Sequence, residues 1–518
     1  MIKKLLFSAL VVALAMIPVY LIPHGALAIT APAEQWSQTY GGTALDEANC
    51  VAKTSDGGYI VAGLTNVTWI GSTEVGNALL VKTNASGVQQ WAVAKAYYGG
   101  TELDEFLSAQ QTADGGYIAA GFVTSDGAVG RDAWLVKTNA SGVNQWSKTY
   151  GGAGDDEFNS VQVTSDGGYI LAGTTVSSNK PAAWLVKTDA SGNITNALVY
   201  GPQNAGFYAD YGSCARQATD GGYILAGTTW DFSSSKIPFL IKTDSSLSTI
   251  TGAHHWGSTN TSGAGGSCCV QQTSDGGYIL VGSKNDQTAI WLIKADSFVN
   301  PQWDYTFGSS PQWDSGESVQ QTSDGGYIVA GEYAPSEIGG PESLWLIKTN
   351  ASGNEQWDEK WGGTSNTYGT CVLQTADLGY VVAGWTDAVG NGNALLVKFA
   401  PEAAPTTYEV DVSSNPAAGG SVAPASGQYL GSTQFTATAN LGYQFVDWTI
   451  NGVEGSTTNP LTLDIESATT LVANFSPITP VAPVPELPTG LLLGMGLVSV
   501  AGIGVGLSLF RRRRLAGQ

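Results

Sequence analysis

Acidic side chains gather in one class of loop, the segment that leads into each copy of a repeated phrase. They are Asp46, Glu47, Asp104, Glu105, Asp156, Glu157, Asp210, Asp314 and Glu317. Carboxylate oxygens are the ligands that Ca²⁺ prefers, and paired carboxylates can act as general acid and base. No D-x-D-x-D-G calcium loop occurs in the sequence. Two interpretations stay open: a ring of acids that binds Ca²⁺ or a ligand, and ordinary solvated loop charge.

The repeated phrase contains a second set of ionisable residues. Its turn reads D-G-G-Y six times and D-L-G-Y once, with the aspartates Asp56, Asp114, Asp166, Asp220, Asp275, Asp324 and Asp377. The third strand of each copy ends in a lysine: Lys82, Lys137, Lys187, Lys242, Lys294, Lys348 and Lys398. Aspartate and glycine are what a tight strand-connecting turn requires. We therefore interpret both sets as scaffold, with the lysines solvated or paired with the aspartates.

The elements that must position these residues are short β-strands. Successive turn aspartates are 49 to 58 residues apart, and a period of about 50 with several strands per unit indicates a propeller or an array. In the second copy, strands are predicted at residues 107–112, 117–123, 133–138 and 145–150. Four short strands separated by turn signals form one blade-like sheet. The predicted fold class is all-β.

The phase of the repeat predicts how the ring closes. A strand like the fourth of each unit occurs at residues 35–41, before the first phrase, and the last phrase ends after its third strand, at residues 394–399. The simplest account is that the N-terminal strand completes the last blade, because this removes the open edges of an unclosed β array. We predict a seven-bladed β-propeller over residues 32–400.

Four of the five cysteines share one position in the repeat. Each lies six residues before a turn aspartate, on the innermost strand, where Ser108, Ser160 and Ser318 stand in the other blades. Blades 1 and 7 are neighbours, as are blades 4 and 5, so Cys50–Cys371 and Cys214–Cys269 are candidate disulfides. Export permits such bonds, whereas adjacent inner strands can be too far apart for them.

Tryptophans recur in the third and fourth strands, where packing between stacked sheets accounts for them. The stretch KTNASGVNQW, residues 137–146, resembles the tryptophan docking motif of PQQ-type quinoprotein propellers, and the units resemble quinoprotein and kelch-like repeats. The resemblance covers packing residues and no cofactor-binding set accompanies it. It therefore implies the fold and not a quinone, and apart from the Ca²⁺ considered above we expect no cofactor.

A different unit follows the ring after a linker at residues 401–407. Residues 408–476 contain alternating strands, the stretch GYQFVDW and a terminal VANF. These phrases resemble the divergent InlB B-repeat of bacterial and archaeal surface proteins. The resemblance implies a small β module that serves as a stalk or an adhesive spacer. The Pro-rich residues 477–489 are predicted to form an extended tether.

Both ends carry targeting signals. Residues 1–28 fit a signal peptide, with two lysines before an apolar stretch and a small-x-small site. Residues 490–510 are apolar and long enough to span a bilayer, and the arginine run in residues 511–518 places that end in the cytoplasm. The stretch PELPTG with this span and run resembles PEP-CTERM/PEF-CTERM tails. The resemblance implies processing by an exosortase-type enzyme; a plain membrane anchor is the alternative.

Seven asparagines begin N-x-S/T sequons. They are Asn66, Asn84, Asn139, Asn193, Asn260, Asn350 and Asn474. Asn84, Asn139 and Asn350 coincide with the recurring T-N-A-S-G turn, and turn chemistry explains these three without a glycan. Glycosylation remains the second interpretation for an exported protein.

Charge and loop variation bound the function. The formal net charge is −21, so the surface repels nucleic acid and anionic lipid. No Ser/His/Asp or Cys/His arrangement is visible. The loops between second and third strands vary and share a face with the acidic loops, and variable loops on a rigid scaffold are the expected binding surface. We predict a non-enzymatic, membrane-anchored cell-surface protein that binds a glycan, envelope or protein ligand. The alternatives are an exported polysaccharide lyase or hydrolase and a structural surface-layer component.

Overall fold

Alternating apolar residues and tight turns fold the first of two units into four-stranded antiparallel sheets. The structure is a computed structural model. It describes residues 30–70, 73–95, 103–124, 130–177, 180–201, 207–231, 236–257, 264–284, 289–308, 314–335, 340–388, 390–403, 407–429, 431–465 and 467–479. The predicted signal peptide (1–28), the apolar segment (490–510), the arginine-rich end (511–518) and most of the predicted tether (477–489) lie outside these residues. Within them, no helix is long and apolar enough to cross a membrane.

The strands of the first unit follow the predicted repeat. In chain order they are β1 (Glu34–Tyr40), β2 (Leu45–Lys53), β3 (Tyr59–Ile70), β4 (Thr73–Thr83), β5 (Gln89–Lys95), β6 (Glu105–Gln111), β7 (Tyr117–Thr124), β8 (Arg131–Thr138), β9 (Asn144–Tyr150), β10 (Glu157–Val163), β11 (Tyr169–Ser177), β12 (Lys180–Thr188), β13 (Ile194–Tyr200), β14 (Phe207–Gln217), β15 (Tyr223–Asp231), β16 (Lys236–Thr243), β17 (Ile250–His255), β18 (Ala264–Gln272), β19 (Tyr278–Lys284), β20 (Ala289–Ala295), β21 (Pro301–Phe307), β22 (Ser315–Gln321), β23 (Tyr327–Tyr333), β24 (Ser343–Thr349), β25 (Glu355–Trp361), β26 (Thr367–Gln374), β27 (Tyr380–Thr386) and β28 (Asn393–Phe399).

These strands form seven sheets that close into a ring. Six sheets contain four consecutive strands each, from β2–β5 to β22–β25, and the seventh contains β26–β28 with β1. The first strand of each sheet contacts the first strand of the next, and β26 contacts β2. This closed ring is the arrangement of a β-propeller. We call the sheets blades 1 to 7 and their first strands the innermost strands.

Blade 7 is completed by the N-terminal strand. β1 pairs antiparallel with β28, with Gln38 opposite Leu396 and Tyr40 opposite Ala394. The contact continues beyond the strands, because the Ala400 N–H donates to the Ala33 carbonyl at 2.8 Å. The closing strand therefore lies where the phase of the repeat predicts it, and it joins the two ends of the ring.

Each blade contains one ion pair between its repeated lysine, which is buried, and its turn aspartate, whose side chain is 50–62 % exposed. The Nζ–Oδ distances are 2.7–3.0 Å, and the lysine side chains are 1–14 % exposed. Lys137 also donates to the Thr138 carbonyl and to Gln145 Oε1, while Asp114 accepts the Gly116 N–H. The lysines are thus paired with the aspartates rather than solvated.

The two turn glycines have different reasons to be glycine. A Cβ on the second, Gly116, would lie 2.2 Å from the Thr138 carbonyl oxygen and 2.6 Å from Lys137 Nζ, so a side chain would displace the ion pair. The first has room for a side chain but a positive φ, 80° at Gly115. Blade 7 has Leu378 at that position, with φ 66°.

Aromatic residues join each blade to the next. Trp91 of blade 1 lies 5.5 Å, between ring centroids, from Tyr117 in blade 2. A Cβ on Gly142, in the outer turn of blade 2, would lie 2.8 Å from the Trp91 ring, so this turn lies directly on the indole. Trp36 and Trp146 make equivalent contacts. The repeated tryptophans are packing residues, as the sequence indicates.

The second unit is a small β module with its own core. Its elements are β29 (Tyr408–Asn415), a 3-10 turn (Ala417–Gly419), β30 (Gly420–Ala423), β31 (Gly427–Tyr429), β32 (Gly431–Ala439), β33 (Tyr443–Ile450), β34 (Val453–Glu454), β35 (Leu461–Ile465) and β36 (Thr469–Pro477). They form the sheets β31-β29-β36-β33-β34 and β30-β32-β35. Trp448 and Phe435 are fully buried in the core. Phe445 of the GYQFVDW stretch packs on Trp448 at 5.4 Å.

Asp114→Asn removes the countercharge of Lys137, whose side chain is only 6 % exposed. We expect a loss of roughly 1–2 kcal/mol in the free energy of unfolding at pH 7, because the ammonium group loses its countercharge while solvent around the half-exposed aspartate screens part of the interaction. The double variant Asp114→Asn/Lys137→Met should recover most of this loss, since it removes the charge as well. Urea unfolding measures both. A double variant no more stable than Asp114→Asn would contradict the pairing argument.

The same pair predicts a dependence on pH. The hydrogen bond from Lys137, with those from Thr112 and Gly116, holds the pKa of Asp114 at about 2. Because the folded-state pKa is depressed, the stabilisation is present above about pH 4 and is lost as the pH falls towards 2. The difference in the free energy of unfolding between the native chain and Asp114→Asn should therefore become smaller as the pH falls from 4 towards 2, which urea unfolding at several pH values measures.

Leu378→Gly is expected to stabilise the ring. A non-glycine residue in the left-handed region costs roughly 1–2 kcal/mol, and the Leu378 side chain is 53 % exposed, so burial offsets little of this. After the entropic cost of glycine, we expect a gain of about 0.5–1 kcal/mol in thermal or urea unfolding. The reciprocal variant Gly325→Leu, at φ 86° in blade 6, should lose a similar amount. A destabilised Leu378→Gly would refute the argument.

Candidate functional site

A β-bulge in every innermost strand shapes the axis of the ring. The register with the second strand shifts directly before the cysteine or serine position, and it does so in all seven blades. In blade 3 the shift lies between Phe158 and Ser160. Gly173 stands opposite, where a Cβ would lie 1.8 Å from the Glu157 carbonyl oxygen. The extra residue of the bulge places Asn159 and Ser160, neighbours in sequence, in the same axial cavity.

This axial cavity has a volume of about 480 Å³. Consecutive pairs from six blades line it: Asn49 and Cys50, Leu107 and Ser108, Asn159 and Ser160, Ser213 and Cys214, Glu317 and Ser318, Thr370 and Cys371. Cys269 of blade 5 lines it too. Glu157 and Tyr211 lie towards the blade-joining loops, and Arg216 lies towards the acid-glycine turns. We call the loop end of the cavity its mouth.

At the cysteine and serine level, each blade is hydrogen-bonded to the main chain of the next blade around the ring. The three serines accept backbone N–H groups at 2.9–3.2 Å. The four thiols donate to backbone carbonyls with Sγ–O distances of 3.6–4.0 Å. One of these bonds, from Cys371 to the Val51 carbonyl at 3.6 Å, crosses the seam between blades 7 and 1. The four cysteines are not disulfide-bonded in this structure.

One aspartate in each of five blade-joining loops is buried. Each of the following is at most 2 % exposed: Asp46, Asp104, Asp156, Asp210 and Asp314. Asp46 accepts the N–H groups of Gly42 at 2.7 Å and Asn66 at 2.9 Å. Four of the aspartates accept the N–H at the end of the second strand of their own blade. These side chains hold the loop to the blade, which differs from the expectation of an exposed acidic ring.

The glutamates of the same loops are only half-buried. Asn49 donates to Glu105 Oε1 at 2.7 Å, and burial raises the pKa of Glu105 to about 7. Burial also raises the pKa of Glu47, with a contribution from Glu74. Glu157 and Glu317 line the cavity mouth. Near Glu317, burial and the charge of Glu342 raise the pKa of Glu332 to about 8.

Blade 4 adds an aromatic wall to the mouth. The rings of Tyr211 and Trp230 lie 5.8 Å apart at 51°. Lys236 pairs with Trp230 across the β15–β16 hairpin, and its Nζ lies 5.2 Å from the centroid of the Trp230 ring. All three side chains line the cavity and are partly exposed. The mouth thus combines an aromatic surface, two carboxylates and one ammonium group.

The Ca²⁺ interpretation finds no preformed site in the described part of the chain. No group of three or more His, Cys, Asp or Glu residues converges there to hold a metal ion. Four of the five aspartates on which the interpretation relied already accept hydrogen bonds from backbone N–H groups.

The sequon asparagines fall into several classes. Asn66 is exposed. Oδ1 atoms of the three T-N-A-S-G asparagines accept N–H groups two and four residues later, as turn chemistry predicts. A glycan would be attached to the asparagine Nδ2 atom. In Asn193 this atom donates a hydrogen bond to Asp189, and in Asn474 it donates one to Asp447. Asn260 lies outside the described residues.

Several residues of the cavity were not predicted from the sequence. They are Asn49, Asn159, Tyr211, Arg216, Trp230 and Lys236. One available signal was departure from the repeat: Tyr211 stands where blades 1 to 3 have Glu47, Glu105 and Glu157. Tyr368 stands at the same position in blade 7, so an alignment of the innermost strands singles out this position in two blades.

Glu105→Gln is expected to change the pH dependence of stability. Because the folded-state pKa is raised from 4.5 to about 7, the native chain loses stability as the pH rises through this range. Glutamine keeps an acceptor for Asn49 and cannot ionise. We expect equal stability at pH 4 and a gain of roughly 2 kcal/mol for the variant at pH 8, measured by urea unfolding. Glu454→Gln, at an exposed position, serves as the control; parallel pH profiles for Glu105→Gln and the native chain would contradict the argument.

The second unit matches a known family. Residues 410–479 match the divergent InlB B-repeat domain, which confirms the resemblance seen in residues 408–476. No curated protein matches the chain.

Solved structures similar to the chain have low identity. A protein of unknown function from Bacteroides caccae is 10 % identical, with 60 % of this chain and 96 % of that chain covered and a TM-score of 0.36. Sqt1 from Chaetomium thermophilum is 14 % identical, with 69 % and 84 % covered and a TM-score of 0.39. The sialidase of Trypanosoma rangeli in complex with the inhibitor DANA is 8 % identical, with 71 % and 58 % covered and a TM-score of 0.40.

Proposed function

We propose that the ring is a carbohydrate-binding module that takes a hydroxyl-rich ligand at the mouth of the axial cavity. The observation that carries this proposal is the aromatic wall of Tyr211 and Trp230 beside the carboxylates Glu157 and Glu317. A concave site with apolar surface and a few convergent polar groups is the usual form of a small-ligand site.

The chemistry of the mouth suits a sugar ring. Sugars present C–H faces that pack on aromatic rings and hydroxyl donors that carboxylates accept. Asn159 donates its Nδ2 hydrogens to the Gly212 carbonyl and to Glu157, so what its side chain can offer a ligand is the acceptor Oδ1. Lys236 supplies a donor for a ring or hydroxyl oxygen. Acceptors outnumber donors, which favours a neutral glycan over an acidic one.

We further propose that this module is displayed outside the cell. The supports are the signal-peptide pattern of residues 1–28, the InlB B-repeat module as a spacer, and the apolar segment 490–510 as an anchor or a substrate of an exosortase-type enzyme. In this arrangement the ring contacts glycan or protein on an envelope or a neighbouring cell. A purely structural place in a surface layer requires no ligand at the mouth.

Trp230→Ala tests the binding proposal. We expect the native protein to bind members of an array of neutral and acidic oligosaccharides, and the variant to raise the Kd of the best ligand by about tenfold or more, because a central aromatic contact is lost. The matched control is Trp69→Ala, whose side chain is 68 % exposed and does not line the cavity. Equal loss in both variants, or binding unaffected by Trp230→Ala, would refute the proposal.

Hydrolysis of the bound glycan is the second candidate, and one observation favours it. Glu105, whose pKa burial raises to about 7, lies within the electrostatic reach of Glu157 and Glu47, and a carboxyl that keeps its proton near neutral pH is the general acid of many glycosidases. Release of reducing sugar by the native protein, abolished in Glu105→Gln while binding persists, would favour the enzyme. Binding without release would favour the module.

A further inference from the structure

Arg216 and four thiols share the axial cavity, and the proposed glycan site uses none of them. Arg216 is a departure from the repeat, because glutamine stands at this position in four other blades: Gln110, Gln162, Gln271 and Gln320. Each of these glutamines accepts a backbone N–H of the next blade. Arginine has no acceptor and cannot make that contact. Its presence therefore serves something other than the joining of blades.

The thiols form two pairs across neighbouring blades. Cys371 Sγ lies 3.6 Å from the carbonyl oxygen of Val51, the residue after Cys50. Cys214 Sγ lies 3.7 Å from the carbonyl oxygen of Val270, the residue after Cys269. Within each pair, each thiol influences the ionisation of the other. Each cysteine thus has one partner in the adjacent blade.

The guanidinium of Arg216 has no carboxylate partner. Its Nη1 donates to the Ala215 carbonyl at 2.8 Å, and among the described residues it forms no salt bridge. The four thiols, which are weak acids, all interact electrostatically with the Arg216 guanidinium. A guanidinium stays charged, so it stabilises any thiolate beside it.

The first cysteine of each pair is the one poised to ionise. The neighbouring Cys269 thiol, together with Arg216, lowers the pKa of Cys214. The neighbouring Cys371 thiol has the same effect on Cys50, with a smaller contribution from Arg216. A thiolate beside a second thiol is the arrangement of reactive dithiols.

We propose that the axial thiols are a redox modification site, in which Cys50–Cys371 and Cys214–Cys269 close as cross-blade disulfides and Arg216 is the positioning residue that stabilises the attacking thiolate. The oxidant is a small disulfide that enters the cavity. The Cys214 thiolate attacks one sulfur of the small disulfide, whose S–S bond breaks and releases one thiolate. The Cys269 thiol loses its proton and attacks Cys214 Sγ, which releases the second thiolate. Two cysteine thiols are oxidised and the small disulfide is reduced to two thiols.

The proposal gives the ring a covalent seam. Blade 7 contacts blade 1 through their innermost strands. The two blades are also connected along the chain, because β1 of blade 7 leads directly into β2 of blade 1. A Cys50–Cys371 bond would link the two blades at the axis, at the opposite end of the sheet from β1. The bond would close a long loop, and cross-links across long loops constrain the unfolded chain most.

Mass analysis of peptides from the full chain, equilibrated in buffers of oxidised and reduced glutathione, tests the bonds. We expect two linked peptides, Cys50 with Cys371 and Cys214 with Cys269, each lighter by two hydrogens, and a higher Tm for the oxidised form. Five alkylatable thiols, Cys268 included, under every oxidising condition would overturn the proposal, as would other pairings; Cys268 should stay alkylatable throughout. Because Ser108, Ser160 and Ser318 occupy this position naturally, Cys50→Ser should fold; it should lose the first bond and keep the second.

Arg216→Gln tests the role of the arginine. Glutamine occurs at the same position in four blades, so the ring should tolerate it. Loss of the neighbouring charge should move the pH profile of thiol alkylation by iodoacetamide upwards, and slow the reaction at pH 7 by about tenfold for each unit of pKa. Arg216→Lys should restore much of the rate. Identical pH profiles for Arg216→Gln and the native chain, with Tm unchanged, would show that Arg216 has no such role.

Discussion

The ion pair between the lysine that ends the third strand and the aspartate of the acid-glycine turn is the interaction on which the ring depends. A lysine that is 1–14 % exposed must have a countercharge, and the turn supplies one at 2.7–3.0 Å. The turn can approach the lysine only because its second glycine has no Cβ, as Gly116 shows. The repeated phrase thus contains the two charged residues of one ion pair and the turn glycines that let them meet.

The ion pairs stabilise single blades, and a separate layer of contacts joins them. Serine or cysteine at one level, and glutamine two residues later, bond to the main chain of the next blade. These contacts turn the first strand of each blade towards the axis, and the bulge before them adds one more axial residue per blade. The same geometry that closes the ring therefore creates the cavity and selects which residues face it.

Much of this architecture was predictable, because the repeat reports the scaffold. The number of blades, the closing strand at Glu34–Tyr40 and the pairing of lysine with aspartate all follow from residues that recur. The cavity was not predictable in the same way. Asp46 and Glu47 look alike in the sequence, yet Asp46 is buried against backbone N–H groups while Glu47 is half-buried. Alternation along a strand decides this, and the bulge shifts the alternation by one residue without a signal that a single sequence exposes.

The innermost strands also explain why two kinds of chemistry share one cavity. Each strand enters from the blade-joining loops and ends at the acid-glycine turn, so residues at successive positions lie at successive depths. In blade 4, Tyr211 reaches the mouth, Cys214 the level of the other thiols, and Arg216 the level of the glutamines. Tyr211 departs from the glutamate of blades 1 to 3 and Arg216 from the glutamine of four blades, whereas cysteine at the middle depth is shared with blades 1, 5 and 7. Because the ion pair of each blade holds its scaffold, single positions of an innermost strand can vary at little structural cost, and blade 4 varies at the mouth and at the glutamine level.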